Sequence, residues 1–102
     1  MNKKDMIIGG NVYHVAVNWN ALSNFLQVTG SDSLSAMANI AEIKPSQLSA
    51  LLTECVREGE RLDGGKLELS QEELCADVDI ATMAEFIAFF TKACDPGVKK
   101  KD

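Results

Sequence analysis

His14 is the only histidine of the chain, and it lies inside a run of β-branched residues. Acid–base or nucleophilic catalysis needs a carboxylate or nucleophile within hydrogen-bond reach of such a ring. No motif near it in sequence supplies one, so His14 reads as a half-exposed strand residue. The three cysteines, Cys55, Cys75 and Cys94, are odd in number and widely spaced. With a single histidine they make no zinc-site spacing. They fit small core residues of a chain kept in a reducing compartment, which points to cytoplasm. Glu68, Glu72, Glu73, Asp77, Asp79 and Glu85 form a stretch without a base. A calcium loop needs acidic ligands at alternate positions, a turn glycine and a distant glutamate. Asp77-Val78-Asp79 has neither the glycine nor the continuation. Carboxylates at two helix starts complement the macrodipole instead. No catalytic residue, metal or cofactor is expected from these sets.

The triplet Asp32-Ser33-Leu34 opens a predicted helix and resembles the attachment site of acyl carrier proteins, where the serine takes phosphopantetheine. A helix cap explains the same residues. The helix that follows breaks at Pro45, and the chain starts with a hairpin that the carrier bundle lacks. A carrier modified at Ser33 is therefore kept as an alternative.

The elements that must position these residues are organised around 7–30. Ile7 and Ile8 precede Gly9-Gly10-Asn11, a cluster that tolerates the positive φ of a hairpin turn. Val12 to Val17 alternates, with Tyr13, Val15 and Val17 on one face and His14 opposite. Trp19, Leu22, Phe25, Leu26 and Thr29 then recur at helical spacing, with Asn18 placed as N-cap and Gly30 as the C′ glycine. A second helix over about 33–42, capped by Ser31 or Asp32, ends before Pro45. Pro45 suits the first position of the next helix, over 45–62, with Leu48, Leu51, Leu52, Cys55 and Val56 as its apolar stripe. Its outer face is predicted to carry Glu54, Arg57, Glu58 and Arg61 as i,i+3 pairs. Gly59 either ends this helix or weakens it. Asp63-Gly64-Gly65 is a turn, and Lys66 to Leu69 can run extended. Ser70 with Glu73 makes a capping box for a short helix over 71–77. Asp79 caps the last helix, over 80–94, which Asp95-Pro96-Gly97 stops.

These periodicities predict a mainly α fold with an N-terminal β-hairpin (7–17). It is a small single-domain bundle of four to five helices over 7–97, between a polar lead-in (1–6) and a disordered basic tail (98–102). With 102 residues and 46% apolar side chains, the chain is long enough to build a core without disulfides or metal. It has no apolar run of membrane-spanning length, and no leader is expected in 1–11. Net charge is −5. Between Asp5 and Val98 five basic residues face fourteen acidic ones. Such a body repels a phosphate backbone, which argues against nucleic acid as partner.

The last helix carries more apolar residues than one stripe needs: Ile80, Met83, Ala84, Phe86, Ile87, Phe89, Phe90, Ala93 and Cys94 cover more than half its circumference. Either it is buried nearly all round, or it leaves a patch for a partner or a second copy. On the second reading Met83, Phe86, Phe89 and Phe90 are the candidate contact residues, and self-association follows.

The order of parts is similar to small tail assembly chaperones of long-tailed bacteriophages and prophages. The likeness runs over about 7–94: Gly9-Gly10-Asn11-Val12-Tyr13 in the hairpin, Val17-Asn18-Trp19-Asn20-Ala21-Leu22, the Thr29-Gly30 helix end, Leu48 with Leu51-Leu52, and the Ser70–Glu73 start. It rests on element order and pattern rather than an invariant signature. It implies a non-catalytic protein in the host cytoplasm, absent from the finished particle. Such a protein binds the tape measure protein and helps tail-tube subunits assemble around it. Many such proteins are made in a short and a longer, frameshifted form, and a slippery run in the codons of Lys99-Lys100-Lys101 would be the sign of it here. A generic acidic protein–protein interaction module is the other alternative.

Overall fold

The computed structural model describes residues 2–29 and 45–93. The predicted helix over 33–42 with Ser33, the Gly30 cap, Cys94 and the tail 98–102 lie outside the described residues. Within them an antiparallel hairpin, β1 (Lys3–Ile8) and β2 (Asn11–Ala16), is followed by four helices: α1 (Trp19–Thr29), α2 (Pro45–Leu62), α3 (Gln71–Cys75) and α4 (Ile80–Ala93). The chain is thus mainly α with an N-terminal hairpin.

Gly9 and Gly10 form the two-residue turn with φ of 60° and 84°. Both values lie in the left-handed region that the favoured hairpin turns require. The turn sets the register: Ile8 opposite Asn11, Asp5 opposite His14, Lys3 opposite Ala16. β1 therefore begins at Lys3, inside the stretch predicted as lead-in. Lys3-Lys4-Asp5 has no apolar alternation of its own. The pairing with β2 orders it, and Val17 N–H extends the ladder to the Asn2 carbonyl at 2.9 Å. Met6, Ile8, Val15 and Val17 face the core, with Tyr13 half-buried beside them.

Asn18 caps α1, its Oδ1 accepting from Ala21 N–H at 2.9 Å. Ala21 and Phe25 are buried, and Leu22 and Leu26 pack partly against the core. Helix α2 is the centre of the domain, with α1 and β2 both laid against it. Leu51, Leu52, Cys55 and Val56 are buried as their spacing predicts, but so are Glu54 and Glu58. The i,i+3 pattern predicts both on the solvent face. The helix is covered on a second side, so burial spreads around it past one stripe. Both i,i+3 pairs form: Arg57 Nε to Glu54 Oε2 at 3.4 Å and Arg61 to Glu58 at 2.7 Å. Gly59 is inside α2 and faces the β2 backbone.

Leu67 is buried and Leu69 half-buried, but this segment pairs with no strand. Ser70 and Glu73 form the capping box: Ser70 N–H donates to Glu73 Oε1 at 2.9 Å and Glu73 N–H to Ser70 Oγ at 3.1 Å. A five-residue helix depends heavily on its ends, so Ser70→Ala is expected to lower stability by about 1 kcal/mol. The urea midpoint checks this, and Glu73→Ala should not add its full single-variant cost on top. Asp79 Oδ1 caps α4 by accepting from Thr82 N–H at 2.7 Å. Phe86 and Phe90 are fully buried, their ring centroids 5.9 Å apart and tilted by 41°. Met83, Ile87, Phe89 and Ala93 pack partly against the same core.

Candidate functional site

The candidate contact residues of α4 divide. Phe86 and Phe90 belong to the chain's own core and are not surface residues, which removes the two largest members of the predicted patch. Phe86 and Phe90, four residues apart, are the buried residues of α4, and Met83, Ile87 and Phe89 flank them partly covered. Phe89 stays half-buried, and Met83 lines a shallow hollow with Pro45, Leu48, Cys75, Val78 and Ile80. Ile80, at the rim, is 89% exposed.

A second exposed apolar feature is on the hairpin. Ile7 and Val12 face each other across the strands on the outer face and are 67% and 59% exposed. In antiparallel pairing, residues opposite one another alternate between bonded and non-bonded pairs. His14 N–H points away from β1 to Glu60 Oε2 at 2.8 Å, so Asp5 and His14 are a non-bonded pair. By the same alternation Lys3, Asp5 and Ile7 direct their backbone N–H and C=O groups away from β2. No described residue takes up these groups. Among the described residues this edge of β1 is therefore unpaired, and it lies beside an exposed apolar pair, with Lys3 and Asp5 on the same edge.

The other long side of the hairpin is closed by polar groups of α2. Asn18 Nδ2 donates to Glu58 Oε2 at 2.6 Å, and Arg61 donates to both Glu58 oxygens at 2.9 and 2.7 Å. Glu58 is 3% exposed. The Arg61 guanidinium, helped by the amides of Asn18 and Asn20, overcomes burial and holds its carboxyl down at about 2. Asn18 thus uses one amide atom to cap α1 and the other to reach α2.

Around His14 the fold assembles what sequence reading missed. Nδ1 lies 2.8 Å from Asp5 Oδ1, and Nε2 lies 3.0 Å from Asp63 Oδ2. The hydrogen bond to Asp5, with the nearby charges of Asp63 and Glu60, raises the imidazole above its usual range against a smaller opposing effect of burial. Asp5 was findable: once Ile8 pairs with Asn11, the register puts Asp5 opposite His14. Glu60 and Asp63 come from the far end of α2 and carry no such signal. The cluster has acids on both sides of a base but no nucleophile, and among the described residues no group is placed to hold a metal ion. Likewise, no described helix is long and apolar enough to cross a membrane.

No family model, no curated protein and no solved structure matches this chain.

Proposed function

We propose that this chain is a non-catalytic assembly chaperone of the phage tail kind, acting in the host cytoplasm. It holds the tape measure protein and assists tail-tube assembly. The observation that supports this reading is the exposed Ile7–Val12 pair beside the free edge of β1. An extended segment of a client can add to such an edge through its backbone and place alternate apolar side chains over Ile7 and Val12. The charges of Lys3 and Asp5 limit promiscuous pairing there. Acidic charge over the body keeps a loaded complex soluble. Self-association belongs to the same reading, now at the hairpin edge, because Phe86 and Phe90 are internal.

Co-expression with a tape measure protein of a long-tailed phage tests the proposal. The wild-type chain should keep the client soluble and co-purify with it. Ile7→Lys with Val12→Asp should reduce recovered complex by about tenfold while the circular dichroism of the free chain stays unchanged. A client equally insoluble with and without the chain would overturn the reading, and so would a double variant that binds as well as wild type.

A further inference from the structure

We propose that His14 is a proton-operated clasp between the hairpin and the C-terminal end of α2. Both ring nitrogens face carboxylates: Nδ1 meets Asp5 of β1, and Nε2 meets Asp63, just past α2. A neutral imidazole has one N–H, so its other nitrogen would turn a lone pair on a carboxylate. Only the imidazolium donates to both. The backbone adds a third tie, since His14 N–H donates to Glu60 Oε2. The charged groups facing the ring are therefore Asp5 from β1, Glu60 from α2 and Asp63 from the turn that follows it.

Loss of the proton leaves three carboxylates around a neutral ring, and one of them must turn away. Asp5 is held in β1 by the pairing of its neighbours Lys4 and Met6 with β2. Asp63 is followed by Gly64, with φ of 87°, and by Gly65, and this turn is tied back to α2 by Gly65 N–H to the Glu60 carbonyl at 2.8 Å. Asp63 N–H is itself bonded to the Gly59 and Glu60 carbonyls at 3.1 and 3.2 Å, so the turn stays anchored to α2, and what deprotonation removes is the tie between this turn and β1, which loosens the 63–65 turn. The direction follows from linkage. A histidine raised above 6.5 in the folded state stabilises the closed clasp fully below 6.5, and that contribution is lost as pH rises through the folded value. The clasp therefore opens as pH rises through a value above 6.5. It does not depend on which partner the protein binds.

The chain has one histidine, so its ring C2–H resonance can be followed without ambiguity. Titration of the whole protein from about pH 5 to about pH 9 should give a midpoint above the unshifted histidine value. The Gly65 amide should follow the same midpoint. Its exchange protection, corrected for intrinsic rate, should fall by up to about fivefold across it, as expected for a partly exposed ion pair. Asp63→Asn should lower the midpoint, and His14→Gln should remove the pH dependence at Gly65 while leaving the helical signal intact. A midpoint at or below 6.5 would overturn the clasp. So would a midpoint indifferent to Asp63→Asn, or a Gly65 response that persists in His14→Gln.

Discussion

Replacing Gly59 with alanine is expected to remove about 3 kcal/mol or more of stability, a large share of what a small domain has. A β-carbon built there would lie 2.2 Å from the His14 carbonyl oxygen, 2.4 Å from its carbon and 2.6 Å from the Val15 nitrogen. All three are backbone atoms in a strand already paired on its other side, so no rotamer change relieves the overlap. Either α2 moves off β2 or the hairpin tears. Intrinsic helix propensity predicts the opposite sign, since alanine in a helix interior is better than glycine by about 1 kcal/mol. Gly65→Ala is the control: its nearest neighbour, the Glu60 carbonyl oxygen, would be 3.5 Å away. That variant should stay within about 0.5 kcal/mol of wild type. Urea unfolding followed by circular dichroism measures both. A Gly59→Ala protein as stable as Gly65→Ala would mean that α2 and β2 do not approach as described.

The second large effect sits one residue earlier. Glu58→Gln is expected to cost about 3 kcal/mol near neutral pH, and this cost should vanish in acid. A carboxyl moved from 4.5 to about 2 contributes that much when ionised. Because the folded value is depressed, the contribution is present above 4.5 and is lost as pH falls towards about 2. The cause is local: the bidentate Arg61 fork first, then the Asn18 and Asn20 amides. Glu58→Ala should be at least as damaging, because it leaves the Asn18 amide without its acceptor beside a buried seam. The check is the urea midpoint of wild type and Glu58→Gln compared from about pH 6 down to about pH 2. A gap that stays constant over this range would show that the charge on Glu58 does not carry the effect.

Much of the architecture was legible because it is written in short-range terms. Gly9-Gly10 marks the hairpin turn, Asn18 and Asp79 mark helix starts, and the Ser70–Glu73 box opens α3, each through bonds to residues a few positions away. The apolar spacing of α2 likewise identified its inner face. The start of β1 was not legible, because Lys3-Lys4-Asp5 becomes a strand only by pairing. The direction of the aromatic rings in α4 was not legible either. Apolar positions covered most of its circumference, and which of them turn inward depends on neighbours that periodicity does not name.

The elements and their order follow from residue types alone: a glycine-turned hairpin, then helices with identifiable caps and one inner stripe. Backbone hydrogen bonding and local capping act over three or four residues, so a linear reading captures them. The central position of α2 arises from how the elements pack on one another. That placement buries Glu54 and Glu58 and puts Gly59 against the strand backbone. It also closes carboxylates from opposite ends of the domain on His14 and leaves Ile7 and Val12 outside while Phe86 and Phe90 go in. Those outcomes depend on which surfaces meet in space, and residues forty or more positions apart meet here for reasons of shape and charge that neither segment shows alone.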